Sequence, residues 1–201
     1  MLGVSGGIDS TVVAYLAVNA LGKDKLHGII MPYVRNQNMD DGLELSQKLG
    51  IPHEVIEIKD LVDAYGKIDF FNNKVAKGNL MARIRMCLLY GKANKDNLMV
   101  LGTSNKTEIM LGYFTKYGDG GVDILPIGGL LKNEVRSLAK ELKIPTQITN
   151  KTPSAGLWEG QTDEGEMGFS YEELDKAIIS IESGDSKKDN SRRRRIKTSK
   201  V

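Results

Sequence analysis

The chain has 201 residues, of which 40% are hydrophobic and 27% charged, and its formal net charge is +2. This length and composition predict one globular domain with a substantial buried core. No apolar run approaches the ~18 residues that span a bilayer, and no secretory signal is recognisable, so we expect a cytoplasmic protein without a membrane partner. The single cysteine, Cys87, excludes an internal disulfide, and the two histidines lack neighbouring ligands for zinc.

Positive charge is concentrated at the end of the chain. From Ser183 onward, eight Lys or Arg accompany two Asp, a balance of +6, which leaves −4 for residues 1–182. We predict a folded domain over residues 1–182 and a flexible basic tail over residues 183–201. An acidic domain lacks the basic face that nucleic-acid-binding domains use, so nucleic acid is not an expected partner.

Apolar patterning predicts alternating strands and helices along the chain. The predicted strands cover residues 2–4, 27–32, 53–58 and 97–103. The predicted helices cover residues 9–21, 40–49, 79–94, 132–142 and 172–181. This order predicts an α/β fold with a doubly wound parallel sheet, in which ligands bind outside the carboxyl ends of the strands.

Two long stretches do not fit this pattern of strands and helices. Residues 112–131 hold six glycines, and residues 148–168 are polar and rich in glycine. Loops of this length inside a compact domain are usually functional lids or disordered. The only tryptophan, Trp158, lies in the second stretch and either anchors it to the domain or covers a ligand.

The helix predicted over residues 79–94 carries an apolar stripe at helical spacing, formed by Leu80, Ile84, Cys87 and Leu88. The stripe places Cys87 in the core. Arg83 lies at the edge of the stripe, where its side chain can lean into a cleft. Arg85 lies further round the helix, and we expect it to be solvated or ion-paired at the surface.

The stretch SGGIDS, residues 5–10, joins the first predicted strand to the first predicted helix. Glycines permit the positive φ of a tight turn, and a helix N-terminus offers unpaired N–H groups to an anion. The patterns G-x-x-x-x-G-K-[ST] and G-x-G-x-x-G are absent, which excludes two common nucleotide-binding loops. Asp9 is either a first-turn helix residue or a ligand for Mg²⁺ held beside phosphates.

SGGIDS resembles the phosphate loop of the N-type ATP pyrophosphatases, a Rossmann-like, three-layer fold related to adenine nucleotide alpha-hydrolases. These enzymes cleave ATP to AMP and pyrophosphate while they adenylate a substrate. The stretches GNLMARIRM (78–86), GTSNKTE (102–108), FTKYGDGGVD (114–123) and LWEGQTDE (157–164) narrow the resemblance to the ammonia-dependent NAD synthetases. The resemblance spans most of residues 2–175.

The resemblance implies a role for each matching residue. It implies that ATP is bound by Gly3, Val4, Ser5, Gly6, Gly7, Ile8, Asp9, Ser10, Thr103, Lys132 and Ser154. It implies that Asp9 and Glu108 bind Mg²⁺ and that Arg83, Lys116 and Asp123 bind deamido-NAD. Asp9 and Lys132 would be catalytic, and Asp163 is a candidate to receive ammonia or its proton.

The implied reaction is the last step of NAD biosynthesis, in which a ligase forms a C–N bond. The nicotinate carboxylate of deamido-NAD would attack the α-phosphorus of ATP, and ammonia would then convert the acyl-adenylate to NAD and AMP. Cys87 is the only cysteine, and glutamine use requires a second domain with its own nucleophile, so we expect free ammonia or ammonia from another subunit. Family members of this type are homodimers, which favours a dimer here.

Two alternatives remain open at this point. A tRNA-thiolating enzyme of the same superfamily could use the Arg192–Arg195 run to hold RNA, but such enzymes carry paired cysteines or an RNA domain. A non-catalytic nucleotide-binding module would explain the glycine loop but not Asp9, Glu108 and Lys132 together. Most family members carry a helix and a fuller first strand before the glycine loop, so we expect either a start further upstream or a natural short form.

Overall fold

The computed structural model describes residues 1–158 and 160–184. Three short strands, β1 (Leu2–Gly3), β2 (Gly28–Ile30) and β3 (His53–Val55), form a parallel sheet in the order β1-β2-β3. Backbone hydrogen bonds continue the β2–β3 ladder to Ile58, whose N–H donates to Pro32 at 2.9 Å. The predicted doubly wound parallel α/β fold is confirmed.

The strand predicted over residues 97–103 is reduced to single-residue bridges. Leu101 pairs in parallel with Leu2 on one side and with Ile124 on the other. The pairing is short because β1 offers two residues, and Gly102 lies so close to its neighbours that a Cβ would approach Val122 to 2.6 Å. The row across the sheet is therefore β3, β2, β1, Leu101 and Ile124.

The connections between these strands are mostly helical. The helices are α1 (Ile8–Leu21), α2 (Gln37–Leu49), α3 (Lys59–Tyr65), α4 (Lys74–Asp96), α5 (Lys106–Leu111), α6 (Lys132–Glu141), α7 (Thr146–Thr149), α8 (Asp163–Met167) and α9 (Tyr171–Glu182), with 3₁₀ turns at Lys23–Lys25 and Asp69–Asn72. None of these helices is long and apolar enough to cross a membrane. Residues 185–201, which include the arginine run, lie outside the described part of the chain.

Helices cover both faces of the sheet because successive strand residues point to opposite sides. Ile30 packs into a core with α1, α2 and α6, whereas Ile29 and Met31 pack into a second core with α3 and α4. Each core buries a set of aliphatic side chains from two or more helices. The result is a three-layer arrangement, which places the carboxyl ends of β1 and β2 at one edge of the molecule.

Two helices begin three or more residues earlier than their apolar patterns indicate. The side chain of Asn73 accepts hydrogen bonds from the N–H groups of Val75 and Ala76, so α4 starts at Lys74 rather than at residue 79. Asn36 caps α2 in the same way through the N–H of Met39. Asparagine is a favoured N-cap residue, and its side chain satisfies N–H groups that the first turn leaves unpaired. The predicted end of α2 at Gly50 is confirmed by its left-handed C-cap conformation.

Two expectations for α4 are wrong. Cys87 is exposed rather than in the core, and Arg85 is half-buried, with its Nε donating to the carbonyl of Met31 at 3.0 Å. The buried face of α4 includes Met81 beside Leu80 and Ile84. At 100° per residue this rotates the inward direction towards Arg85 and away from Cys87. Burial lowers the pKa of Arg85 to about 10, so it stays charged at neutral pH.

The two long stretches without a clear pattern differ in structure. Residues 112–131 form consecutive turns, apart from the single bridge at Ile124. Residues 148–168 contain the end of α7 and the short helix α8. Trp158 is half-buried near the start of α4, where a Cβ on Gly78 would approach its ring to 3.1 Å and where Lys74 Nζ lies 5.1 Å from the ring centroid. These contacts favour the role of loop anchor.

Candidate active site

The loop between β1 and α1 is shaped to approach an anion with its backbone. Gly6 has φ +74, and a Cβ there would lie 2.3 Å from the carbonyl oxygen of Asn38 in α2, so only glycine fits. Gly7 is the N-cap residue of α1 and provides no side-chain cap, which leaves the first N–H groups of the helix without partners from this residue. The loop therefore presents backbone donors and the positive end of a helix dipole.

Two serines fix the shape of this loop. The hydroxyl oxygens of Ser5 and Ser10 lie 2.9 Å apart, and the N–H of Gly7 donates to Ser5 Oγ at 3.3 Å. Ser10 and Thr11 each donate a hydroxyl hydrogen bond to the carbonyl of Gly7. Ser5 is exposed while Ser10 is buried, so only Ser5 faces outward from the loop. The hydroxyl groups position the loop whether or not they also contact a ligand.

Lys132 lies at the centre of the site. Its ammonium group is 2.6 Å from Asp9 Oδ2 and 3.2 Å from Glu108 Oε1, and 1% of its side chain is exposed. Asp9 comes from the first turn of α1, Glu108 from the first turn of α5, and Lys132 is the first residue of α6. α1 follows β1, α5 follows the bridge at Leu101, and α6 follows the bridge at Ile124. These neighbouring positions of the sheet therefore bring together three residues that are far apart in sequence.

Burial and charge act against each other in this cluster. Burial alone would lower the pKa of Lys132, but the carboxylates of Asp9 and Glu108 outweigh it and raise that pKa. Burial and the nearby charge of Asp9 raise the pKa of Glu108, which Lys132 only partly offsets. The lysine therefore stays charged and neutralises part of the acidic pair.

Asn105 holds the two carboxylates in place. Its Nδ2 donates to Asp9 Oδ1 at 3.0 Å, and its Oδ1 accepts the N–H of Glu108 at 3.0 Å. Glu108 Oε2 in turn accepts the backbone N–H of Asn105, which completes a capping box at the start of α5. Asn105 is fully buried. The capping box explains why Glu108 points back towards Asp9 instead of into solvent.

The donor set of Asp9 and Glu108 suits Mg²⁺ bound together with phosphates. Magnesium prefers oxygen ligands and is typically held by one or two carboxylates, with substrate phosphates and water completing its shell. Among residues 1–158 and 160–184, no group of three or more His, Cys, Asp or Glu side chains could hold a metal ion by itself. Two carboxylates leave the rest of the Mg²⁺ shell to phosphate oxygens and water, so the pair fits a metal bound together with a nucleotide.

Asp163 is buried and heavily hydrogen-bonded. Its Oδ2 accepts from the Tyr171 hydroxyl at 2.9 Å, and its Oδ1 accepts from the N–H of Ala155 at 3.1 Å. The Tyr113 hydroxyl lies 3.2 Å from Oδ1 but closer, at 2.6 Å, to Glu166 Oε2. Burial raises the pKa of Asp163 even though these donors favour the charged form. Asp163 thus connects the segment 151–168 to the body of the site.

A second lysine closes the other side of the glycine loop. Lys151 Nζ pairs with the carboxylate of Asp41 in α2 and lies 3.5 Å from the carbonyl oxygen of Gly6. Lys151 is half-buried. Three residues further on, Ser154 is exposed, and its Oγ accepts the N–H of Gly156 at 3.1 Å. The segment 151–168 therefore begins against the glycine loop.

Three residues that the family resemblance assigns to deamido-NAD lie along one side of α4: Arg83, Lys116 and Asp123. Arg83 is exposed, and its Nε donates to the carbonyl of Lys116 at 3.2 Å. Asp123 accepts from the Tyr90 hydroxyl at 2.9 Å and from the N–H of Val100 at 2.7 Å, and this backbone bond lowers its pKa. Arg83 and Tyr90 are seven residues apart, which is about 10 Å along a helix.

Thr103, which was assigned to ATP, is half-buried two residues after the bridge at Leu101. Thr103 lies between the bridge at Leu101 and Asn105, which contacts the carboxylates of the cluster. Thr103 is therefore close in sequence to both the sheet and the cluster. The structure therefore brings Asp9, Glu108 and Lys132 into direct contact. It groups Arg83 with Lys116, and it holds Asp123 on Tyr90, further along α4.

Known proteins resemble this chain over most of its length. The model of the NAD synthase family matches residues 1–201. The chain belongs to the NAD synthase family. Relatives include an NH(3)-dependent NAD(+) synthetase of Thermococcus sibiricus, 49% identical over 94% of this chain and 75% of the relative. Another, from Methanococcus aeolicus, is 53% identical over 94% of this chain and 77% of the relative.

Solved structures of NAD synthase relatives show the same fold. An NMN synthetase from Francisella tularensis has a TM-score of 0.84 and 44% identity over 94% of this chain and 78% of its own. An NH3-dependent NAD synthetase from Campylobacter jejuni, solved with a nitrate ion, has a TM-score of 0.79 and 38% identity over 92% of this chain and 74% of its own. Members of the NAD synthase family are ligases that use ATP as a substrate.

Sequence reasoning missed several residues that shape this site in a NAD synthase. Asn105 could have been found, because asparagine three residues before a glutamate is a capping-box pattern at a helix start. Tyr171 could not, because an aromatic residue at the start of an amphipathic helix looks like a core residue. Lys151 gave no signal either, because its partners Asp41 and Gly6 are more than 100 residues away in sequence.

Proposed function

We propose that this chain catalyses the ATP- and ammonia-dependent amidation of deamido-NAD to NAD through an acyl-adenylate, with release of AMP and pyrophosphate. The observation that carries the proposal is the buried Asp9–Lys132–Glu108 cluster beside a glycine loop built for phosphates. Similarity to curated NH(3)-dependent NAD(+) synthetases over most of the chain supports the assignment.

In this proposal, residues 3–10 receive the phosphates of ATP on backbone N–H groups and on the positive end of the α1 dipole. Lys132 stabilises negative charge that grows on the phosphates as pyrophosphate leaves, because its ammonium group is fixed and desolvated before ATP binds. Thr103 and Ser154 contact ATP from two sides of the cleft. The chain contributes mainly by positioning reactants and stabilising charge.

Asp9 and Glu108 would hold Mg²⁺ through one carboxylate each. The metal would shield the phosphates and make the α-phosphorus easier to attack. Once a cation occupies the carboxylates, the ammonium group of Lys132 becomes free to contact the phosphates, because its present partners are those two side chains. Asn105 would keep Asp9 oriented during this exchange.

Arg83 and Lys116 would bind deamido-NAD through its phosphates, which suits two adjacent cationic side chains. Asp123 would contribute at the far end of the same face of α4. Asp163 would receive ammonia or its proton after adenylation. Burial raises the pKa of Asp163, which makes its carboxylate a better proton acceptor. Residues 151–168 would cover the site and protect the adenylate from water.

A second candidate substrate is the mononucleotide analogue, in which nicotinate carries a ribose phosphate without the adenylate half. The similarity to the Francisella tularensis protein described as an NMN synthetase favours testing it. The amidation chemistry is the same for both substrates, so the two differ only in contacts distant from the reacting carboxylate. The tRNA-thiolating and non-catalytic alternatives are not favoured, because the family match covers residues 1–201.

The decisive experiment supplies purified protein with ATP, Mg²⁺ and ammonium, and compares deamido-NAD with nicotinate mononucleotide. We expect AMP, pyrophosphate and NAD in equal amounts with deamido-NAD, and no reaction when glutamine replaces ammonium. A preference for nicotinate mononucleotide would change the assigned substrate but not the proposed ATP-dependent amidation. If folded protein forms no AMP with either substrate, the proposed function is wrong. Asp9→Asn, checked by circular dichroism, provides the inactive control.

We further propose that the chain works as a homodimer. Large apolar side chains remain exposed on the described surface, among them Phe70 and Tyr117, each 67% exposed, and Met99, 56% exposed. Exposed apolar groups of this size are common at protein–protein interfaces. Light scattering coupled to size-exclusion chromatography should give twice the monomer mass of 22.1 kDa. A monomer mass at micromolar concentration would contradict the dimer.

A further inference from the structure

Tyr171 joins two parts of the site that no other described side chain joins directly. Its hydroxyl lies 2.9 Å from Asp163 Oδ2 and 3.3 Å from Glu108 Oε1. Glu108 belongs to the carboxylate cluster, and Asp163 belongs to the segment 151–168. Tyr171 is fully buried at the first position of α9.

A phenol has a single proton to donate, so it cannot serve both carboxylates at once. Burial raises the pKa of Tyr171, and the charges of Glu108 and Asp163 raise it further, which keeps the hydroxyl protonated. Glu108 and Asp163 therefore compete for the same hydrogen bond. The shorter contact shows that the hydroxyl favours Asp163 here, while Glu108, which is already paired with Lys132, keeps the longer contact.

Asp163 depends on this hydroxyl because its second tyrosine donor is engaged elsewhere. The Tyr113 hydroxyl lies 2.6 Å from Glu166 Oε2 and 3.2 Å from Asp163 Oδ1, so the shorter bond goes to Glu166. The remaining donor to Asp163 is the N–H of Ala155, and the N–H of Asp163 itself donates to Pro153 at 3.1 Å. Asp163 thus clamps the turn that carries Ser154.

The helix that carries Tyr171 is itself held firmly against the site. One turn further along α9, buried Asp175 accepts the Thr107 hydroxyl at 2.5 Å and the N–H of Asn133 at 2.9 Å. Thr107 Oγ1 in turn accepts the N–H of Lys132 at 3.0 Å. The backbone of α9 is therefore fixed relative to α5 and α6. When the hydrogen bonding changes, the part that responds is the segment clamped by Asp163.

We propose that Tyr171 is a positioning residue that couples occupation of the Glu108 carboxylate to closure of the segment 151–168. When Glu108 turns to a cation bound with ATP, its longer contact with the Tyr171 hydroxyl is lost, and the hydroxyl then donates to Asp163 alone and tightens the turn at Ser154 over the nucleotide. This inference rests on the proposed function, because it assumes that the ligand at Glu108 is ATP with its metal. It assigns Tyr171 no contact with the reacting atoms.

Trp158 provides a readout that does not depend on turnover. It is the only tryptophan of the chain, it lies within the segment 151–168, and it packs against α4 at Gly78. Adding Mg²⁺ with a non-hydrolysable ATP analogue should change its fluorescence in the wild-type protein. In Tyr171→Phe, which keeps the ring, the analogue should still bind with an affinity within about threefold, but most of the fluorescence change should disappear.

Kinetics should separate positioning from binding. For Tyr171→Phe we expect kcat to fall about tenfold or more, with the KM for ATP nearly unchanged, since one hydrogen bond to a charged group is lost. Tyr65→Phe is the matched control, because it removes the hydroxyl of an exposed tyrosine in α3. The control should match the wild type in both assays.

Asp163→Asn tests the same connection from the other side, and it serves if Tyr171→Phe does not fold. Tyr171 and Ala155 donate to different oxygens of Asp163, and asparagine replaces one of these oxygens by an amide donor, so one of the two bonds is lost. The fluorescence change should again be lost. The double variant should lose little more than either single variant, as coupled residues do. An unchanged fluorescence response in Tyr171→Phe, with the analogue still bound, overturns the inference alone. If the wild-type protein does not bind the analogue, the proposed function fails and the inference falls with it.

Discussion

Lys132 has a buried ammonium group whose partners are two carboxylates from other helices. Removing one member of such a group leaves uncompensated charge in a desolvated place, which is more costly than losing an exposed ion pair. Removing the Lys132 ammonium group would leave the carboxylates of Asp9 and Glu108 close together without a cation between them. The same arrangement that stabilises the folded site is thus the one proposed to meet the phosphates.

For Lys132→Met we expect kcat/KM to fall by about 10²–10³, the range seen when one fixed charge-stabilising donor is removed. Methionine keeps most of the side-chain length, so the helix α6 should remain folded. Steady-state kinetics measure the loss, and thermal unfolding monitors the fold. Near wild-type kcat/KM in the folded variant would remove Lys132 from the reaction.

Gly6 permits a second prediction at the scale of single residues. Alanine at this position adds the strain of a positive φ, about 1–2 kcal/mol, and a clash with the carbonyl of Asn38. Gly50→Ala is the matched control, because Gly50 also has positive φ, but its added Cβ meets only Lys23 at 3.4 Å. We expect Gly6→Ala to lower the free energy of unfolding more than Gly50→Ala and to abolish ATP binding, measured by calorimetry. Equal effects of the two changes would contradict the close approach at Gly6.

The helix α4 shows how two similar residues on one element receive different tasks. Arg83 is exposed and donates to the backbone carbonyl of Lys116, whereas Arg85 reaches the end of β2 from the buried side of the helix. The difference follows from a rotation of 200° around the helix axis between positions two residues apart. One arginine is available to a ligand, and the other ties α4 to the sheet.

Replacing each arginine by methionine should separate these tasks. Arg85→Met should lower the free energy of unfolding by about 1.5–3 kcal/mol, because a charged donor to Met31 is lost. Arg83→Met should leave unfolding within about 0.5 kcal/mol of the wild type, as surface changes usually do, while raising the KM for deamido-NAD. Urea unfolding and steady-state kinetics measure the two quantities. The reverse assignment of effects would contradict the positions of both residues.

At the scale of the whole molecule, one thin sheet separates two cores. Leu45 of α2 belongs to the first core, and Ile58, just after β3, belongs to the second. Because alternate residues of the same strands contribute to both, neither core can form without the sheet. The site lies where these strands end, so its geometry depends on both cores.

Leu45→Ala and Ile58→Ala should each destabilise the protein by about 2–5 kcal/mol, as large-to-small changes in cores do. Both side chains are buried, at 3% and 0% exposure. We expect each variant to shift a single unfolding transition, followed in parallel by circular dichroism and Trp158 fluorescence. Two separate transitions, each sensitive to one substitution, would show that the cores unfold independently.

The sequence by itself determined the class of fold and the identity of the central chemical groups. Alternating apolar strands and helices predicted the doubly wound sheet, because burial on both faces leaves a pattern that is local in sequence. SGGIDS predicted a phosphate loop, because glycine at positive φ and a helix N-terminus are also local features. The family resemblance placed Asp9, Glu108 and Lys132 in one site, and the structure brings them into contact.

Only the tertiary structure decided which neighbours each of these groups has. Arg85 is half-buried and Cys87 exposed because Met81 packs into the core beneath the sheet and so sets the rotation of α4 about its axis. The four residues of the apolar stripe did not determine this rotation to better than about one residue. Tyr171 and Lys151 join the site because α9 and the segment 151–168 fold back over it. Such contacts depend on how elements distant in sequence meet, and no local pattern records them.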